Sequence, residues 1–362
     1  MLLRDLLPVL DDIAPTRFAE SWDNVGLIVG DPGQPISKVL LAIDLTPEVE
    51  HEARALGSEL VIAYHPPLFK AVKNLIAPDP LFEAIRRGMA IYSPHTALDV
   101  AEGGTNDVLG DLLGLKERQP LRLVQPLEQN LKLVTFVPDE HLEAVSEAMF
   151  AAGAGRIGHY TRCSFRTHGT GTFQGDPTSN PTVGKAGVFE RTAEIKLELV
   201  CPVDRVADAL HALRQSHPYE EPAFDLVQLA APLEKVGQGR IGKIDPTPVP
   251  VLIDRIKAGL GLSHVLVSGP TDQTVSRAAV LAGGGKEHLP DALAQGAQLY
   301  LTGEIPHHDA LAAAKRGCTV VATLHSNSER VTLKRVRDTL AKRVSEAQFV
   351  LSTVDRDPFK VV

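Results

Sequence analysis

Four side chains able to bind a metal, His65, Asp99, His325 and Glu329, fall where folded chains tend to place ligands. His65 closes the apolar run ELVIAYH, and His325 closes CTVVATLH. Glu329 follows His325 by one helical turn, while His95 and Asp99 flank the segment HTALD. In parallel α/β sheets, ligands bind beyond the carboxyl ends of the strands. Imidazoles combined with carboxylates suit Zn, Mn, Fe, Co or Ni better than Ca or Mg. AYHPPLF and LHSNSER are therefore expected to fold together into one metal site, and hydrolysis by metal-activated water is the chemistry these residue types permit. Each residue also has a plainer reading. Glu329 fits the last place of a capping box, Ser326-Asn327-Ser328-Glu329. His65, before two prolines, fits a hydrogen-bonded strand end, and Asp99 fits a turn aspartate. Spacing alone leaves these alternatives open.

Other chemistries find less support. LAGGG at 281–285 follows a strand-like run as an anion-binding turn would, but GxGxxG and GxxxxGK[ST] are missing. Gly103-Gly104-Thr105-Asn106-Asp107 reads as a tight turn feeding a helix capped by Thr105 or Asn106. HPYEEP, with His217, Tyr219, Glu220 and Glu221, reads as a packed turn. No G-x-S-x-G elbow is present. Cys163, Cys201 and Cys318 form no CxxC and read as buried thiols in a reducing compartment. The formal charge of −8, without a Lys/Arg block, argues against a nucleic-acid partner but leaves room for a small anionic substrate. MLLRDLLPVLDDIAP carries acidic residues within its apolar stretch, unlike a signal peptide, and no run is long enough to span a membrane. A soluble, cytoplasmic protein is the expectation.

The elements that must position these residues follow from periodicity. Over the first 125 residues, ISKVLLAID, SELVIAYHPPLF and the extended AIYSPHTALDV alternate with helical TPEVEHEARALG (capped by Thr46), LFEAIRRGM and NDVLGDLLGL. The last 130 repeat the rhythm: strands SRAAVLAGGG, QLYLTGE and CTVVATLHS alternate with helices, and SERVTLKRVRDTLAKRV forms a long amphipathic helix. Both ends read as one α/β assembly with a largely parallel sheet. Between them, a βαβ–βαβ order resembles a ferredoxin-like unit. RCSFRTHGTGTFQGDPTSNPTVGKAG inside it reads as loop-rich. The expected organisation is a two-part α/β core, 1–126 and 234–362, with an inserted α+β domain, 127–233. Its bounds fall at Pro126 and at Ala230-Ala231-Pro232.

Six blocks, SWDNVGLIVGDP, VLLAIDLTPEV, VIAYHPPLF, YSPHTALDVAEGGTND, LYLTGEIPHHDAL and LHSNSER, resemble in wording and order the NIF-three-like family, whose bacterial members carry the name GTP cyclohydrolase 1 type 2 homologue. AGAGRIGHY, GTGTF and HPYEEPAFDL resemble the insert of its longer bacterial members, and HPYEEP resembles a signature of CutA and PII-like folds. The resemblance implies a dinuclear centre, two divalent metals per subunit, in a toroidal homohexamer. Its ligands come from a His-His-Pro motif, the aspartate of HTxLD, and the His and Glu of HxxxE. Carried over, these are His65, Asp99, His325 and Glu329. The first histidine of His-His-Pro corresponds to Tyr64, a ligand only if its phenol, with an ordinary pKa of about 10, loses its proton. Asp99 or Glu329 would bridge the metals, and Glu304 or His95 would move protons. The implied activity is metal-dependent hydrolysis of GTP or another nucleotide or phosphoester. The rival expectation is a non-catalytic metal-binding or regulatory hexamer.

Overall fold

In the computed structural model, the described residues are 1–123, 130–158, 160–229 and 236–360. The chain divides into two compact units, Met1–Leu127 with Glu234–Val362, and Glu128–Leu233. The expected bounds at Pro126 and at 230–232 lie outside the described residues. Among the described residues, no helix is long and apolar enough to cross a membrane.

The first unit contains two large sheets and a two-stranded pairing of Arg122–Leu123 with Gly237–Gln238, where one largely parallel sheet was expected. One runs Gly26–Val29, Ala90–Ser93, Leu60–Ala63, Lys38–Ala42, Gln348–Leu351. Its last four strands are parallel and Gly26–Val29 is antiparallel. Strands covered on both faces read as continuous apolar runs, and here alternate residues go to opposite cores. Val39, Leu41 and Ile62 pack with Leu3, Leu6 and Leu10 of the helix Leu3–Ile13 and with Leu333, Val336 and Leu340 of the helix His325–Arg343. Leu40, Val61 and Ile91 pack with Val49 and Ala53 of the helix Pro47–Leu56, whose N-terminus Thr46 caps as expected.

The other sheet runs Leu266–Ser268, Thr319–Ala322, Leu299–Glu304, Thr274–Gly284, Arg240–Pro248, Lys116–Gln119. Only Thr274–Gly284, Leu299–Glu304 and Thr319–Ala322 are mutually parallel, so "largely parallel" holds for the first sheet and not for this one. The antiparallel flanks are more exposed, as sheets partly facing water allow. The N- and C-terminal segments interleave. Lys116–Gln119 completes the sheet built from the C-terminal segment, and Gln348–Leu351 completes the sheet built from the N-terminal one. This exchange brings the carboxyl ends of Leu60–Ala63 and Thr319–Ala322 together at the start of the helix His325–Arg343.

The second unit is a four-stranded antiparallel sheet in the order Phe224–Gln228, Asn130–Val137, Phe189–Pro202, Phe165–Gln174. The helices Leu142–Ala151 and Val206–Ser216 contribute Val145, Met149, Ala209 and Leu213 to its core. The order of elements, βαββαβ, is that of a ferredoxin-like unit. The segment expected to be loop-rich contains the ten-residue edge strand Phe165–Gln174. That strand is exposed along nearly its whole length, so it carries no apolar alternation to betray it. HPYEEP is a packed turn as expected: His217 Nε2 lies 3.0 Å from the Phe136 carbonyl, and the Tyr219 amide donates to His217 Nδ1.

Candidate metal centre

The strand Leu60–Ala63 carries its parallel hydrogen bonding two residues past its end. The amides of Tyr64 and His65 donate to the carbonyls of Ala42 and Ile43 at 2.9 and 3.0 Å. This fixes His65 at the sheet's carboxyl edge, where its Nδ1 meets Asp44 Oδ1 at 2.9 Å. A carboxylate on Nδ1 selects the tautomer with Nε2 free to bind a metal.

On the other sheet, Leu324 turns the chain from Thr319–Ala322 into the helix with φ 70° and ψ 153°, a conformation costly for a branched side chain. The helix starts at His325, so Glu329 lies too deep for the third helical position of a capping box, and the capping alternative fails. Glu329 is instead buried, 2% exposed. Ser328 locks this turn, accepting from the Gly283 amide at 2.8 Å and donating to the His325 carbonyl at 2.7 Å. His325 Nδ1 lies 2.9 Å from Glu304 Oε1, so this imidazole too is backed by a carboxylate.

The two imidazoles present Nε2 to the same carboxylate. His65 Nε2 is 3.2 Å from Glu329 Oε2, and His325 Nε2 is 3.2 Å from Glu329 Oε1. Ligand atoms of His65, His325 and Glu329 all lie within 4.8 Å of one another. His65 Nε2 and Glu329 Oε2 are nevertheless buried without a hydrogen-bond partner. Such a buried nitrogen and oxygen, face to face at 3.2 Å, are answered either by a proton held between them or by a cation that takes both. Two imidazole nitrogens and a carboxylate, each imidazole held from behind by an acid, fit a divalent transition metal.

The electrostatics agree. Without a metal the cluster recruits protons: burial opposes charge on His65, but Asp44 and Glu329 overcome it and raise the imidazole to about 10. The bond to Glu329 likewise lifts His325 to about 9, against the effect of burial. Burial would raise Glu329, yet its bonds to the two histidines hold it down to about 2.

Asp99 lines the same cleft, of about 510 Å³, as His325 and Glu329. Burial and the charge of Glu329 push it up to about 7. The HTALD segment expected to be extended and turn-like is instead the short helix His95–Val100. Tyr64 is fully buried; its phenol donates to Asp99 and lies 2.8 Å from Thr105 Oγ1. Burial and the neighbouring carboxylates drive that phenol far above its ordinary value, so it keeps its proton. As placed, Tyr64 is a donor to Asp99. His95 begins its helix at φ 25°, with Nδ1 2.8 Å from Asp23 Oδ1 and its ring 5.3 Å from that of His65.

Several contributors escaped sequence reasoning. Asp44 and Asp23 orient His65 and His95, and the position of Asp44 just past an apolar run was the only available signal. Asn106, expected as a helix cap, instead joins the Asp99 carbonyl to the Ala282 amide, both at 2.9 Å, while Gly104 takes the cap position. Gly283 of the glycine run leaves room for the centre: at φ +65°, an added Cβ would lie 2.9 Å from Glu329 Oε1 and 3.2 Å from His325 Nε2. Arg240, buried, pairs with both oxygens of Asp107 at 2.9 and 3.0 Å and donates to the Val100 and Ala101 carbonyls, anchoring the segment after Asp99.

Interleaved α/β sheets meeting at a His-His-Glu cluster define a candidate metal-binding protein of mixed α/β fold. The profile of Duf34/NIF3 (NGG1p interacting factor 3) matches residues 1–358, and the chain belongs to that family. Among its relatives, the GTP cyclohydrolase 1 type 2 homolog of Halalkalibacterium halodurans is 35% identical over 359 residues, covering 96% of each chain. That of Mycobacterium tuberculosis is 38% identical over 315 residues, covering 85% of this chain and 83% of the relative. Of solved structures, a Bacillus cereus protein related to NIF3 is 32% identical with a TM-score of 0.69. The Staphylococcus aureus protein SA1388 is 28% identical with a TM-score of 0.75; each structure covers 100% of this chain and is itself covered to 99%.

Proposed function

We propose that this chain is a metal-dependent hydrolase acting on GTP or another nucleotide or phosphoester. The carrying observation is the His65–His325–Glu329 cluster, whose ligand atoms lie within 4.8 Å of one another and in which both imidazoles turn Nε2 to one buried carboxylate. His65, His325 and Glu329 would hold one divalent ion, of Zn, Mn, Fe, Co or Ni type. Asp99, raised by burial and then by the adjacent charge of Glu329, is the carboxylate we assign to a second ion. When bound, such ions lower the pKa of water and polarise a substrate oxygen. The chain's own groups do the rest. Asp44 and Glu304 fix the two imidazoles. Tyr64 orients Asp99. His95 lines the cleft with Nδ1 held by Asp23, which leaves Nε2 to exchange a proton, and Glu304 is the second proton-transfer group. The relatives' name supports a guanine nucleotide as the substrate to try first.

We further assign a cytoplasmic homohexamer and a PII/CutA-like character to the middle unit. A regulatory reading draws on one feature of that unit, a cleft of about 930 Å³ bordered by Glu194, Lys196 and Tyr219. The deciding experiment loads the purified chain with each metal in turn and offers GTP and model phosphoesters beside an authentic cyclohydrolase. Turnover lost in His325→Ala and Glu329→Ala supports the enzyme. Stoichiometric metal with all substrates untouched rejects it in favour of the regulator.

A further inference from the structure

Trp22 is the chain's only tryptophan, and it lines the metal cleft while remaining 57% exposed. Its neighbours are tied down on both sides. Asp23 holds His95 Nδ1 at 2.8 Å and accepts from Thr96, and Asn24 donates from Nδ2 to the Leu68 carbonyl at 2.6 Å. This last bond joins the Trp22 segment to the one carrying Phe69, whose ring lies 5.6 Å from the indole at 59°. The indole is thus an exposed apolar face on an anchored backbone. From it a succession of rings leads to the metal ligands: Trp22 to His95 at 6.1 Å, His95 to His65 at 5.3 Å, and His65 to His325 at 5.5 Å.

Sites for small molecules combine a few convergent polar groups with apolar or aromatic walls. Here the cleft holds the polar groups Asp99, His325 and Glu329 together with the Trp22 indole, which His95 separates from His65. A large aromatic left in water gains by stacking on another flat ring, and tryptophan offers the widest face for it. We propose that Trp22, backed by Phe69, is the platform on which this site stacks the base of a nucleotide, with the nucleotide's anionic end directed toward the His65–His325–Glu329 cluster. This rests on the hydrolase reading of that cluster and narrows its substrate to molecules carrying a planar heteroaromatic ring.

A single tryptophan makes the test direct, because all tryptophan emission comes from the proposed platform. In the full-length native oligomer, GMP, AMP and UMP should each quench that emission saturably, while ribose 5-phosphate should not. Calorimetry on variants then separates stacking from mere bulk. Trp22→Phe should hold GMP within about threefold of the parent, and Trp22→Leu and Trp22→Ala should each weaken it by about tenfold or more, with ribose 5-phosphate unaffected. Trp22→Leu keeps an apolar side chain but removes the flat ring, so it answers the question even if Trp22→Ala misfolds. The proposal is overturned by nucleotides that leave the emission unchanged, or by GMP binding Trp22→Leu as tightly as the parent. Emission already shielded from acrylamide in the ligand-free oligomer would also overturn it, since a second copy would then cover Trp22. Metal content measured on the same samples keeps the two readings apart: metal bound without nucleotide sinks the platform alone, and nucleotide bound without metal sinks the hydrolase.

Discussion

Metal binding at this centre should release about two protons per ion at pH 7. The imidazoles of His65 and His325 sit at about 10 and about 9 in the metal-free chain, so both are almost fully protonated at neutral pH. A metal needs the Nε2 lone pairs that those protons occupy. Two histidines at the ordinary value near 6.5 would together carry only about 0.5 proton at pH 7. The excess is therefore a signature of this cluster. It predicts that apparent affinity climbs about 100-fold per pH unit up to about pH 9, a slope of two protons. Glu329 is the acceptor common to both imidazoles and raises each, alongside Asp44 at His65 and Glu304 at His325. In Glu329→Gln the released protons should fall below about one, and affinity should drop by at least about 100-fold through loss of a ligand. Titration calorimetry with Zn²⁺ or Mn²⁺, in buffers of differing ionisation enthalpy, counts the protons. A wild-type count near 0.5, or a count unchanged in Glu329→Gln, would refute the reasoning.

Three further outcomes follow from the same geometry. Chelator-treated protein should be most stable in mild acid. The raised histidines stabilise below about pH 6.5 and lose that contribution as pH climbs through about 9 to 10; Asp99 loses its own as pH passes about 7, and Glu329 loses its contribution as pH falls toward about 2. Thermal melts from pH 5 to 9 with and without metal check this, and a metal-free Tm that rises across that range contradicts it. Gly283→Ala should abolish stoichiometric metal binding while leaving the circular dichroism spectrum intact, because the new methyl falls 2.9 Å from Glu329 Oε1; full metal occupancy in a folded variant would show the clash to be relieved. Arg240→Met should cost about 1.5–3 kcal/mol in urea unfolding, since it leaves the Asp107 carboxylate only Arg118 at 3.6 Å and the Gly103 amide at 2.9 Å, and a loss below about 0.5 kcal/mol would mean the pair is dispensable.

What could be read from the sequence, and what could not, divides along physical lines. The central parallel strands show because both of their faces are buried, which leaves uninterrupted apolar runs such as LVIA and TVVA. Those runs also locate His65 and His325, since a ligand at a strand's carboxyl end needs no knowledge of its partners. The edge strands Lys116–Gln119 and Phe165–Gln174 stay hidden because exposure removes the alternation that periodicity detects. Glu329 was visible as a residue and ambiguous in role: S-x-x-E fits a cap equally well, and only the helix start at His325 decides between them.

The remainder of the site was out of reach because it consists of pairings between distant segments. Asp44 matters through His65, Asp23 through a residue 72 positions away, and Asn106 through an amide 176 positions on. Apart from the place of Asp44 just past an apolar run, none of these residues has an unusual local context, so no window on the sequence could select them for these roles. Tyr64 shows the same limit from the other side. Aligned with a family ligand, it invited the reading of a weak metal-binding phenol. Its surroundings give the opposite chemistry, because a phenol fully buried between Asp99 and Thr105 is held more firmly to its proton, not less. That reverses its contribution. A protonated Tyr64 donates to Asp99 and favours the charged carboxylate, against the burial and the Glu329 charge that raise it. Tyr64→Phe should therefore push Asp99 further up. The residue in the place of a ligand would then serve the centre by keeping a neighbouring carboxylate available for a metal.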